Sequence, residues 1–237
     1  MNNSRILELY ARLSTDVDAL SFAPPVSYAY NPLRYAWDGF TQYLHMCPDT
    51  PRTVFLGMNP GPWGMAQTGI PFGEVSAVKD FLGISRIDVV PPASQHPSYP
   101  VKGLECSRSE VSGRRLWGLF RERYGTAEAF FRENIVLNYC PLLFIAHGRN
   151  LTPDHLDKDD RAGLFALCDE CLREVVAELR PEVVVCVGVF AEKRVLGALK
   201  GVKVVRILHP SPASPASNTN WAGKVTEQLK GLLGSRE

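Results

Sequence analysis

Three side chains, Asn59, Asn138 and His209, stand where short apolar runs end, and each carries a head that can hydrogen-bond to a ligand. Each carboxamide offers donors and an acceptor, and a neutral imidazole offers one of each. Asn59 lies in Val54-Phe55-Leu56-Gly57-Met58-Asn59-Pro60-Gly61-Pro62-Trp63-Gly64-Met65-Ala66-Gln67, an apolar run stopped by glycines and prolines. Gly57, Gly61 and Gly64 allow a sharp turn and a close approach to a ligand, and Pro60 and Pro62 stiffen it. An isolated Asn-Pro-Gly can equally be a turn that caps a strand. A loop this rich in glycine that also carries Trp63, Met65 and Gln67 points instead to a site. His209 before Pro210 can be a hydrogen-bonded strand terminator, and Asn138 a satisfied core amide. Together, and next to Phe72, expected to be exposed in Ile70-Pro71-Phe72-Gly73, they describe a pocket that stacks a planar ring and reads its edge.

For these residues to meet, the chain must bring several strand ends to one edge. Runs rich in β-favouring residues predict strands over 53–56, 135–140, 183–187 and 204–208, the last leading straight into His209. Helical spacing is read between them over 33–46, 74–82, 112–124, 127–131, 158–179, 190–199 and 221–233, after a first amphipathic helix carrying Ile6, Tyr10, Leu13 and Val17. Residues 89–113 and 148–157 read as loops, the first long enough to be functional or mobile. Strands alternating with helices imply a parallel sheet with helices on both faces, whose carboxyl edge is where ligands bind.

With 45% of its 237 residues apolar, the chain can bury a sizeable core as one domain over 1–237. Lys and Arg number 26 against 25 Asp and Glu, so the whole-molecule field does not announce nucleic acid. A local cluster, Lys102, Arg108, Arg114, Arg115, Arg121 and Arg123, reads first as a solvated helix face. The six cysteines are scattered, and the one close pair, Cys168 and Cys171, has no second pair or histidine at ligand spacing. That argues against a zinc or iron–sulfur site and for reduced core thiols. No apolar run is long enough to cross a bilayer, and the amphipathic N-terminal segment differs from a signal peptide. A cytoplasmic protein follows, nuclear in a eukaryotic cell, with a monomer as the expected state.

Longer motifs carry a family resemblance. Gly57-Met58-Asn59-Pro60-Gly61-Pro62, with Gly64-Met65-Ala66-Gln67-Thr68-Gly69 and Pro71-Phe72-Gly73-Glu74-Val75, resembles the first motif of the single-strand-selective monofunctional uracil-DNA glycosylases. Asn138-Tyr139-Cys140-Pro141-Leu142 and Gly148-Arg149-Asn150-Leu151-Thr152-Pro153 are similar to further segments, and His209-Pro210-Ser211-Pro212 with Trp221 to the second motif. The resemblance implies a three-layer α/β/α fold on a central four-stranded parallel sheet. It also implies removal of damaged bases from single- or double-stranded DNA without strand cleavage, metal or cofactor. By motif match Asn59 would position the hydrolytic water, Phe72 would stack on the flipped base, Asn138 would read the uracil edge and His209 would support the departing base. Met58 and Gly61 would line the same pocket. A leaving uracil anion needs a donor at O2, which a neutral imidazole supplies. The expected substrates are uracil and oxidised uracils such as 5-hydroxymethyluracil.

One departure concerns the wedge loop, Pro210, Ser211, Pro212, Ala213 and Ser214. The family's Pro-Ser-Pro-Arg-Asn-Pro places a basic residue where this chain has Ala213, which can wedge but cannot touch a phosphate. Gly61 admits two readings: open space beside C5 of the base, or a turn that needs a permissive backbone. Two rival functions are a mismatch-type uracil/thymine glycosylase, against which the long first motif and His209 speak, and a non-catalytic module binding a nucleotide or free base.

Overall fold

The computed structural model describes residues 3 to 232. Along the chain run α1 (Asn3–Asp18), β1 (Val26–Tyr30), α2 (Pro32–Tyr35), α3 (Trp37–Met46), β2 (Thr53–Gly57), α4 (Met65–Thr68) and α5 (Val75–Asp80). After a long connection come α6 (Val111–Tyr124), α7 (Ala127–Phe131), β3 (Asn134–Asn138), β4 (Leu143–Ala146) and β5 (Arg149–Leu151). The last third holds α8 (Lys158–Leu179), β6 (Val183–Val187), α9 (Val189–Ala198), β7 (Lys203–Ile207) and α10 (Trp221–Gln228).

The apolar runs become a four-stranded parallel sheet in the order β3-β2-β6-β7, with helices around it. Every residue of β2, β3 and β6 is buried, as expected of parallel strands covered on both faces. The Phe55 ring meets Phe120 of α6 and Phe130 of α7 at 4.8 and 6.2 Å. Strand β3 lies at the sheet edge, where the Tyr43 hydroxyl donates to the Val136 carbonyl (2.8 Å) and accepts from the Val136 N–H (2.9 Å). One phenol thus satisfies backbone groups that an edge strand would otherwise leave unpaired. Helices α1 and α8 pack together, with Arg12 paired to Glu174.

Several boundaries differ from the sequence expectation. The helix expected over 33–46 is two helices, because Ala36 leaves helical geometry (φ −128°, ψ 34°). Asn31 caps the first, and the Tyr35 hydroxyl donates to the Ala66 carbonyl at 2.6 Å, tying this corner to α4. A second sheet, β1-β4-β5, is antiparallel; β1 and β4 lie in segments given no element from sequence, and β5 in one expected to be loop. Its β4–β5 turn is His147-Gly148, both at positive φ (49° and 69°), as two-residue hairpins require. The closing helix ends at Gln228, and residue 233 of its expected span lies outside the described residues.

Candidate active site

The register of β2 and β3 sets Gly57 beside Asn138. Beyond it the pairing continues through Tyr139 N–H to Gly57 O (3.0 Å) and Cys140 N–H to Met58 O (2.8 Å), so the chain leaves the sheet at Asn59 with its neighbours fixed. A Cβ on Gly57 would stand 2.4 Å from the Phe72 ring and 2.5 Å from Asn138 Oδ1, so glycine is what lets ring and carboxamide meet. Asn138 donates from Nδ2 to the Met65 sulfur (3.2 Å), while its buried Oδ1 has no hydrogen-bond partner. Asn59 donates from Nδ2 to the carbonyls of Leu142 (3.1 Å) and Pro60 (3.3 Å), which leaves its own carbonyl oxygen to accept.

His209 follows the last strand. The Ser211 N–H donates to its Nδ1 at 3.0 Å, so the neutral ring carries its proton on Nε2. Burial pushes the imidazole pKa down to about 4, so the ring is neutral at pH 7. Trp221 Nε1 donates to the Leu208 carbonyl (2.9 Å) just before it, and the Ser217 hydroxyl donates to the His209 carbonyl. Arg115 of α6 donates to the carbonyls of Pro210 (2.8 Å) and Ser217 (3.1 Å), clamping the loop at both ends. This arginine, read from sequence as part of a solvated face, turns inward; Arg114 and Arg121 are exposed.

These strand ends line one cavity of about 380 Å³, within the range of roughly 300–1,000 Å³ typical of small-molecule sites. Met58, Asn59, Gly61, Phe72, Asn138 and His209 all line it, as do Ser211, Ala213 and Ser214. Pro210 and Pro212 do not; the first is buried and the second exposed. Phe72, expected to be exposed, is only 6% exposed and sits at φ 53°, because its ring packs over Gly57 inside the cavity wall. Gln67 is structural: its amide donates to the carbonyls of Pro62 and Pro100 and accepts from the Lys102 N–H.

Sequence reasoning missed Glu110, which also lines the cavity. A Cβ on Gly61 would stand 1.9 Å from Glu110 Oε2, and one on Gly64 would stand 2.8 Å from the same carboxyl. Neither glycine has positive φ. Gly61 therefore provides neither open space nor a left-handed backbone; it makes room for a carboxyl. Burial pushes that carboxyl up to about 7, helped by the charge of Glu74 and opposed by the nearby backbone N–H groups of Trp63 and Gly64. Asn150 and Thr152 reach the cavity from β5 and its sequel. Among the described residues there is no cluster of three or more His, Cys, Asp or Glu that could hold a metal ion, and the six cysteines are free and buried.

The model of the uracil DNA glycosylase superfamily matches residues 44–230. A protein of Rattus norvegicus named single-strand selective monofunctional uracil-DNA glycosylase is 47% identical over 95% of this chain and 83% of its own length. The chain belongs to that glycosylase family. A Bos taurus member with the corresponding name is 46% identical over 93% of this chain and 83% of that protein. The fold is likewise that of a solved structure, SMUG2 of Pedobacter heparinus, with TM-score 0.67 and 20% identity over 97% of this chain and 99% of that one. The family match covers both motif regions, so most of the cavity described above is built from the segments that carry the resemblance. Among the described residues no helix is long and apolar enough to cross a membrane.

Proposed function

We propose that this protein is a monofunctional uracil-DNA glycosylase, hydrolysing the N-glycosidic bond of uracil in DNA and leaving the abasic strand uncut. The observation that carries this reading is the unpartnered, buried Oδ1 of Asn138 beside the Phe72 ring. An unpaired buried acceptor costs about 1–3 kcal/mol, and the N3–H of a uracil stacked on Phe72 would relieve that cost. The Asn138 amide nitrogen would then face O4, a pattern that cytosine, with its acceptor and donor exchanged, does not satisfy.

In this mechanism the flipped base enters between Phe72 and the carboxyl edge of the sheet. Glycosidic cleavage leaves positive charge on the sugar and negative charge on the base. Nε2–H of the neutral His209 donates to O2 of the uracil anion as its bond to C1′ of the sugar breaks. Asn59 Oδ1 accepts a hydrogen bond from the water that adds to C1′, and the proton this water loses passes through solvent to the uracil anion. The wedge loop, with Ala213 in place of a cation, fills the gap left by the flipped nucleotide. Oxidised uracils such as 5-hydroxymethyluracil are further substrates, for which a cavity of about 380 Å³ leaves room. The relatives' names speak of single-strand selectivity, and we extend it to this chain; Ala213 fits a weak hold on duplex phosphates. It acts where the DNA is, in the cytoplasm or, in a eukaryotic cell, the nucleus.

The test is release of free uracil from a single-stranded oligonucleotide with one deoxyuridine. The expected products are uracil and a strand that breaks only on alkaline treatment. Tight binding of the oligonucleotide with no uracil released would favour the non-catalytic alternative.

A further inference from the structure

Glu110 stands at the N-cap of α6, where a side-chain oxygen ordinarily accepts from N–H groups of its own first turn. It makes no such bond. Its carboxyl turns instead to another segment and packs directly against Gly61 and Gly64 in the turn that follows Asn59. The turn is shaped to receive it, since any side chain at Gly61 or Gly64 would collide with the carboxyl. The helix is seated close to the same motif at a second point, where a Cβ on Gly113 would lie 2.2 Å from the Phe72 carbonyl oxygen. Leu116, Trp117 and Phe120, all buried, fix α6 in the core, so it gives the carboxyl a rigid base. Oε2 is buried without a partner, a cost that the chain accepts beside its own cavity.

We propose that Glu110 is a positioning residue for base excision: its carboxyl locks the turn over residues 60–64 and thereby fixes the Asn59 carboxamide at the cavity. The assignment rests on the reading that Asn59 holds the hydrolytic water. An unlocked turn leaves the DNA-binding surface in place but lets that water drift, and a misplacement of about 1 Å can cost about 100-fold in rate. Glu110 works through Asn59 and touches no reacting atom.

The test separates chemistry from binding. Single-turnover uracil excision is measured on a single-stranded oligonucleotide, and affinity is measured on the same sequence carrying a non-hydrolysable 2′-fluoro-deoxyuridine analogue. Glu110→Ala should lower the rate constant about 100-fold, with affinity changed by no more than about threefold. Glu110→Gln keeps the size and shape of the side chain against the turn and should recover about tenfold over Glu110→Ala. Gly61→Ala should also slow excision. In the double variant the two losses should not add, because the methyl introduced by Gly61→Ala and the Glu110 carboxyl claim the same space. A Glu110→Ala enzyme at wild-type rate, a Gln variant as slow as the Ala variant, or fully additive losses would each overturn the assignment. Should Glu110→Ala fail to fold, the Gln and Gly61→Ala arms decide it. A wild-type enzyme that releases no uracil would overturn the functional reading itself, and this inference with it.

Discussion

His209 should be neutral far below the pH at which a free histidine gains its proton, and this has a measurable cost in stability. Its folded pKa is about 4, against an ordinary value of 6.5, with burial as the cause. Between these values the unfolded chain holds a proton on this residue that the folded chain lacks, so stability present above pH 6.5 is lost as pH falls towards 4. At about 1.36 kcal/mol per pH unit, the loss between pH 7.5 and pH 4.5 is about 2–3 kcal/mol. The assay is urea unfolding of wild type and His209→Gln at both pH values, since glutamine does not titrate and keeps a donor. Wild type should lose about 2–3 kcal/mol more than the variant over that interval. NMR of the ring nitrogens should find Nε2 protonated and no titration of His209 between about pH 5.5 and 8. Equal losses in the two proteins, or a midpoint near 6.5, would refute the reasoning.

Ala213→Arg places a cation on an exposed loop position and should tighten duplex binding and steepen its salt dependence by about one counterion, read from the slope of log Kd against log salt. An unchanged slope would mean that residue 213 does not face DNA. Gly61→Tyr should lower excision of uracil and 5-hydroxymethyluracil together, because its side chain would displace Glu110; selective loss of the larger substrate would place Gly61 beside C5 instead. No lysine lines the cavity among the described residues, so borohydride should trap no protein–DNA adduct; a trapped adduct would refute a purely hydrolytic route.

The parts of the fold that were legible are those whose burial leaves a periodic mark. Lys158–Leu179 and Val183–Val187 match their expected bounds, one because its apolar stripe repeats at helical spacing and the other because a strand buried on both faces is apolar throughout. The small antiparallel sheet was missed. Val26–Tyr30 alternates in burial but follows a proline pair, and Leu143–Ala146 reads as more of the apolar run that Pro141 interrupts. His147-Gly148 is the signal that marks its hairpin. At the site, Asn59, Asn138 and His209 were legible because each ends a strand of one parallel sheet. Glu110 and Arg115 were not, since neither belongs to a periodic pattern at the site and each acts on a segment distant in sequence. Phe72 was placed correctly in the cavity but wrongly on the surface, because a left-handed residue folded over a glycine leaves no local trace beyond the Pro-Phe-Gly turn.

The central claim is that the Asn59 carboxamide holds the water that completes base removal. Its side chain is partly buried and makes two hydrogen bonds to carbonyls, so Asn59→Ala should cost folding only about 1–2 kcal/mol. The direct measurement is single-turnover uracil release by Asn59→Ala from a single-stranded oligonucleotide, alongside affinity for the non-hydrolysable analogue. The rate constant should fall by at least about 100-fold, with affinity nearly unchanged. Release at close to the wild-type rate would contradict the account.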